Sequence, residues 1–332
     1  MADLDGDGNL DLLSGSWPGE IFLFKGGPGR TFAKPAKLRH KNGKCINVGG
    51  GVLKTDIDGI LVAGDATFEE TGKGTVIVYD GERIEVPEGQ EGAITGTASA
   101  VHAADWDGDG DLDLLIGDID GNVHLVLNEG TKAAPAFGKA IALRFGFFLP
   151  VKVAGDAGPF AADWDADGDL DLFVGSGDGS VSLYRNAGGL PPRLGPPEQL
   201  VPPTKVRSGA DAPAEPAPGH RAKVCAADWN GDGRLDLLVG DISSVKPARP
   251  DPAPEEKAAH DAIRRQIEAL RLKQGELFEA LKVEKDREEG KKIAEELDAT
   301  MEEWQELYAK LPPESEDHGW VWLFLRSPAP SR

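Results

Sequence analysis

Four stretches of the chain set acidic residues at one fixed spacing. They are Asp3, Asp5, Asp7 and Asp11; Asp105, Asp107, Asp109 and Asp113; Asp163, Asp165, Asp167 and Asp171; and Asp228, Asn230, Asp232 and Asp236. Counted from the first acid, these are positions 1, 3, 5 and 9 of a glycine-containing loop. Side-chain oxygens at those positions converge in a tight turn, and a hard cation makes that concentration of charge favourable. Each loop is therefore a candidate calcium site, about four in all.

The elements that would position these loops can be read from their flanks. An EF-hand would put a bidentate acid at position 12, where the chain instead has Ser14, Ile116, Val174 and Val239, so that arrangement is excluded. Each loop runs into a short branched-apolar segment ending in glycine, at Gly15, Gly117, Gly175 and Gly240, which predicts a strand. The loop thus joins two strands of a hairpin, with the position-6 glycine supplying a left-handed turn. A further strand is predicted at Glu20–Phe24, Thr75–Tyr79, Asn122–Leu127, Ser180–Tyr184 and Trp320–Phe324. A fourth closes several units, from Phe32 to Leu38, Phe137 to Leu143 and Leu194 to Leu200.

The five third-strand segments exceed the four loops by one. The extra one belongs to a degenerate unit around Asp56, Asp58 and Gly64, whose loop is too short for a full ligand set. The marker glycines, Gly64 included, are 49, 53, 58 and 65 residues apart. Four short antiparallel strands in units of ~50 residues are the arithmetic of a propeller blade. The expected fold is all-β, a five-bladed β-propeller with an inserted antiparallel α-helical hairpin. The expected division is residues 1–246 for four blades and half of the fifth, 247–318 for the hairpin, and 319–332 for the end of the fifth blade.

The run from Ala103 through Gly117 resembles the FG-GAP/VCBS repeat, the calcium-loop propeller blade of integrin α-subunit heads and of many secreted bacterial proteins. The resemblance covers about residues 1–245 and 319–326. It implies that positions 1, 3, 5 and 9 give side-chain oxygens and that position 7 gives a backbone carbonyl. Position 7 can then hold Asn9, Asp111, Asp169 or Arg234, since a carbonyl ligand is indifferent to its side chain. The Asp56 unit departs from the pattern, and metal is not assigned to it.

The chain has 332 residues, 40% of them hydrophobic, and a net charge of -21. That acidity argues against nucleic acid and anionic membrane surfaces as partners. No stretch reaches the ~18 apolar residues of a membrane span, and no export signal is present. Met1 stands two residues before the first acid, so the strand leading into the first blade is missing; the native protein is expected to carry an export signal and to work outside the cytoplasm, where calcium is abundant. Cys45 and Cys225 lie in different units and are expected to be two buried free thiols. Residues 187–221 are proline-rich and read as a surface excursion.

After Gly240 the next strand is delayed until Trp320. In between, Ile263, Ile267, Leu270, Leu277 and Leu281 form one helical stripe, and Ile293, Leu297, Met301, Trp304, Leu307, Tyr308 and Leu311 a second. Pro254 and Pro312 suit the ends, with a break at Glu288, Glu289 and Gly290. This coiled hairpin is a candidate for docking or self-association.

Trp106, Trp164 and Trp229 share loop position 2 with Leu4 and read as packing between blades. Trp17, Trp320 and Trp322 lie nearer turns and are candidates for a glycan surface. His102, His124 and His220 lack zinc-site spacing. No nucleophile elbow, metalloprotease helix or phosphate loop is found. The expectation is a non-catalytic, calcium-stabilised scaffold that binds a protein or a glycan. The alternative is a calcium-dependent, polysaccharide-active enzyme such as a uronate lyase.

Overall fold

The structure, a computed structural model, describes residues 1–16, 19–48, 99–146, 148–250, 252–283 and 287–327, and between 49 and 98 only the backbone of five short strands. No described helix is long and apolar enough to cross a membrane. The chain is mostly β, in several small antiparallel sheets, with two helices near its end. It divides into two compact units: residues 1–206, 217–243 and 318–332 form one, and residues 207–216 and 244–317 the other.

In the first unit each acidic loop connects paired strands. Loop 2 joins Ser99–Ala104 to Asp113–Asp118, and the sheet continues through Val123–Val126 to Ile141–Ala142. Loop 3 joins Gly158–Ala162 to Asp171–Gly175, followed by Val181–Tyr184 and Glu198–Val201. Around loop 1 the strands are Leu12–Gly15, Ile21–Phe24 and Ala36–Lys37, and one bridge from Ala2 to Asp11 stands in for the leading strand. Around loop 4 they are His220–Ala227, Asp236–Val245 and Glu316–Phe324, the last separated from its neighbour by the helices.

The strands after loops 2 and 3, Asp113–Asp118 and Asp171–Gly175, are buried at every residue, which is why their apolar residues run continuously instead of alternating. Both of their faces are covered by neighbouring repeats. Leu4, Ile21 and Ile46 of repeat 1 share a core with Leu114, Ile116, Val126 and Phe137 of repeat 2. Trp106, Leu115 and Leu125 of repeat 2 share one with Leu172, Val174 and Tyr184 of repeat 3. Trp164, Phe173 and Leu183 of repeat 3 do so with Ala222, Leu237 and Val239 of repeat 4.

The marker glycines explain how the repeats come this close. A Cβ on Gly117 would stand 2.2 Å from the Ala157 carbonyl oxygen, and one on Gly175 the same distance from that of Ala222. The next repeat's backbone presses on both positions, and it is fixed there by hydrogen bonds from Ala157 N–H to the Asp118 carbonyl and from Ala222 N–H to that of Ser176, each 2.9 Å.

The sequence sets the Asp56 unit between repeats 1 and 2 as a blade of its own, and repeats 1 and 2 share a core. The strands Thr67–Thr71, Gly74–Tyr79 and Glu82–Pro87 form their own three-stranded sheet, and Val52–Lys54 pairs with Ile60–Val62. Asp56, Asp58 and Gly64 themselves lie outside the described residues, as does Trp17. The two cysteines were expected to be buried, but Cys225 is exposed and Cys45 only partly covered.

In the second unit α1 spans Pro254–Val283 and α2 spans Arg287–Tyr308. The proline at the start of α1 leaves no orphaned N–H there. Ile267 and Leu297 are the most buried apolar residues of the two stripes, at 7% and 5% exposure. Lys273 pairs with Glu296 at 2.7 Å, and Gln274 donates to the Thr300 carbonyl at 3.2 Å. Glu288, Glu289 and Gly290, the expected break, lie inside the first turn of α2. Acidic residues favour the positive end of the helix dipole, so a charge run that reads as a break serves as a helix start.

Candidate metal centre

Local backbone geometry builds each loop. Positions 4 and 6 both have left-handed φ: Gly6 and Gly8 at 70° and 87°, Gly108 and Gly110 at 77° and 96°, Ala166 and Gly168 at 61° and 96°, Gly231 and Gly233 at 75° and 81°. The requirement at position 4 was missed in the sequence, although the Gly-x-Gly spacing carries it. These turns aim amide groups inward. Asp3, Asp105, Asp163 and Asp228 each accept the position-6 N–H through Oδ2, at 3.3, 3.1, 3.1 and 2.9 Å. Asp7, Asp109, Asp167 and Asp232 each accept the position-7 N–H through Oδ1, at 2.8, 3.1, 3.0 and 3.0 Å.

Position 9 has a second task. Asp11, Asp113, Asp171 and Asp236 are no more than 1% exposed. In each, Oδ2 accepts the position-2 N–H, from Leu4, Trp106, Trp164 and Trp229, at 3.0 to 3.1 Å. In the first three, Oδ1 accepts the N–H of the residue 15 places on, Gly26, Asn128 or Asn186, at 2.7 to 2.8 Å. Asp236 receives the same bond from Arg326, 90 residues on, at 2.8 Å. Arg326 thus stands where Gly26, Asn128 and Asn186 stand, which marks Glu316–Phe324 as the third strand of repeat 4.

These constraints bring carboxylates together. One oxygen each from Asp3, Asp5 and Asp11 lies within 4.8 Å of the others, and the same holds for Asp105, Asp107 and Asp113 and for Asp163, Asp165 and Asp171. The position-5 acids Asp7, Asp109 and Asp167 fall outside these triads, and Asn230 replaces the position-3 acid in loop 4. At position 7 the side chains diverge. Asn9 Nδ2 donates to Asp7 at 3.0 Å, Arg234 reaches Asp232 at 2.6 Å, Asp111 is 5% exposed, and Asp169 lies against Gly188.

The electrostatics of the loops suit a cation. Buried oxygens without a hydrogen-bond partner include Oδ1 of Asp3, Asp5, Asp105 and Asp111. Burial, with the charge of Asp107 and Asp109, pushes Asp113 up to about 6 despite the amides of Asn128 and Trp106. Burial and neighbouring acids also raise Asp107 and Asp111. Asp7 and Asp232 go the other way, held down by hydrogen bonds from Asn9 and Arg234 respectively. All-oxygen donor sets of this kind suit a hard divalent ion, and the clusters could hold one.

The FG-GAP-like repeat family matches residues 105–174 and again 163–239. Residues 105–239 carry FG-GAP-like repeats. No curated protein matches it significantly. The matched FG-GAP-like segments contain loops 2, 3 and 4, and loop 1 shares their hydrogen-bond pattern.

Position 2 of these repeats faces the next repeat, with Leu4, Trp106 and Trp164 exposed by 2%, 6% and 9%. Trp229, by contrast, is 62% exposed. Arg326 closes the gap behind Trp164, with its guanidinium 4.3 Å from the ring centroid and an N–H to the Trp164 carbonyl at 2.6 Å. Trp322 spends its indole N–H on Asp241, at 2.8 Å. Between loops 2 and 3 of the FG-GAP-like repeats lies a cleft of about 310 Å³, lined by Asp105, Trp106, Asp107 and Asp169 among others.

Proposed function

We propose that this chain is a non-catalytic, calcium-stabilised β-propeller scaffold that presents binding surfaces to a protein or a glycan outside the cytoplasm. The observation that carries the reading is the carboxylate triad of loops 1, 2 and 3, whose position-9 acid also accepts the backbone N–H 15 residues on. In such a site the cation neutralises the converging charges, while the Asp side chains and the position-7 carbonyl would hold it. The repeats are the blades. The direct packing of repeat 1 on repeat 2 favours a row of four consecutive blades.

The helices α1 and α2 serve in this reading as an antiparallel hairpin for docking. Phe278, Met301 and Tyr308 leave apolar surface on it, at 47%, 44% and 50% exposure.

Thermal unfolding in calcium and in EDTA tests the proposal. A cation at 100 times its dissociation constant adds ~2.7 kcal/mol per site, so three sites should move the midpoint upward by ten degrees or more, on the order of 2–4 °C per kcal/mol. An unchanged midpoint refutes the metal assignment.

A further inference from the structure

The four loops differ in one respect that their shared motif conceals, namely the cation the protein itself supplies. In loop 1, Lys25 Nζ lies 2.5 Å from Asp5 Oδ2 and 3.6 Å from Asp7, and Lys132 is 3.8 Å from Asp3. In loop 3, Arg185 reaches Asp165 at 2.7 Å and Asp171 at 3.9 Å. In loop 4, Arg234 holds Asp232 at 2.6 Å. Among the described residues, no ion pair reaches any acid of loop 2, although that loop carries five of them, Asp105, Asp107, Asp109, Asp111 and Asp113.

The difference has a structural address. Lys25 and Arg185 each stand 14 residues after their position-9 acid, immediately before the residue whose N–H caps it. The matching residue of repeat 2 is Leu127, which packs against the core. That of repeat 4 is Leu325, just before Arg326. One site in the blade therefore alternates between a long basic side chain and leucine. Loops 1 and 2 each retain two buried oxygens without a hydrogen-bond partner, Oδ1 of Asp3 and Asp5 and Oδ1 of Asp105 and Asp111, so what sets loop 2 apart is the basic side chain it does not receive.

We propose that Lys25 and Arg185 are built-in counter-cations that grade the metal loops. They steady loops 1 and 3 in the absence of metal and weaken calcium binding there, so that loop 2 is the tight site. This rests on the calcium reading above. A bound divalent ion has to displace an ammonium or guanidinium from the same carboxylates in loops 1 and 3, whereas in loop 2 it meets uncompensated charge. A part-exposed ion pair is worth a few-fold in an equilibrium constant, which sets the expected scale.

The test is calorimetric titration of the EDTA-stripped whole chain with calcium alone, paired with unfolding in EDTA. The wild-type chain should show one tight site and weaker ones. Lys25→Leu and Arg185→Leu should each tighten one weak site by roughly threefold to tenfold. Each variant should also be less stable than the wild type in EDTA, and opposite effects in the two conditions are not what a purely structural role gives. Lys25→Gln and Arg185→Gln keep a polar side chain of similar length and repeat the test should the leucine variants fail to fold. Leu127→Lys should weaken the tight site. Calcium binding whose affinities are unchanged in all of these variants overturns the grading while leaving the calcium reading intact. No calcium binding in any of the proteins overturns both.

Discussion

Replacing Asp113 with asparagine separates the folding role of the acidic loop from its metal role. Asp113 is 1% exposed, and its two oxygens accept backbone N–H groups from Asn128 at 2.7 Å and from Trp106 at 3.0 Å. Asparagine keeps the shape but offers one acceptor, so one buried N–H is left facing an amide NH2. An unsatisfied buried donor costs about 1–3 kcal/mol, and the surviving bond loses the strength that ionisation lends it, about 1 kcal/mol more. Removing a charge that burial already disfavours offsets part of this, since the carboxyl is pushed up to about 6.

The net expectation is a loss of about 2–3 kcal/mol in EDTA at pH 7, read from urea unfolding. Asp109→Asn is the control. Its Oδ1 accepts only the Asp111 N–H, which an asparagine oxygen does equally well, so it should cost less than about 0.5 kcal/mol in EDTA and act only in calcium. If Asp113→Asn matches the wild-type chain in EDTA, position 9 is not the tie that the hydrogen bonds describe.

Three other outcomes are expected. Ala166 occupies a left-handed position that glycine fills in the other loops, so Ala166→Gly should stabilise by about 0.5–1 kcal/mol; Gly108→Ala, whose added Cβ meets no atom within 4 Å, should destabilise by about 1 kcal/mol through strain alone, both measured by thermal unfolding. Burial, against a backbone hydrogen bond at Ala161, holds His102 down to about 4, below the usual 6.5, so the unfolded chain takes up a proton first as pH falls. Stability should therefore drop between pH 6.5 and 4 by up to about 3 kcal/mol, and His102→Gln should flatten that part of the curve. Arg326→Ala should cost about 1–2 kcal/mol by removing the cation over Trp164 and the bond to its carbonyl, a loss visible as a lowered unfolding midpoint.

The strands and loops were legible because their causes are local. The acids at positions 1 and 5 bind amides five and two residues away, and glycine at position 6 permits the turn, so spacing alone announces them. The fully apolar segment Leu114–Ile116 likewise announces a strand covered on both faces. The helices were legible for the same reason, although the acidic run at Glu288 and Glu289 reads equally well as a break or as a helix start.

What escaped the sequence depends on partners far along the chain. Trp229 has the same local setting as Trp106 and Trp164, yet it is exposed, because burial is decided by the neighbouring repeat and not by the loop.

The sequence by itself determined the acidic loops, the strands they join and the helical stripes, since each follows from backbone conformation and contacts within about fifteen residues. Only the tertiary structure decided that Asp236 is capped by Arg326 from 90 residues further on, that Gly117 and Gly175 admit the next repeat's backbone, and that Lys25 and Arg185 lie against the acids of loops 1 and 3 while, among the described residues, no basic side chain pairs with those of loop 2. Identical motifs specify identical loops; the charge each loop meets is set by side chains that another strand brings to it.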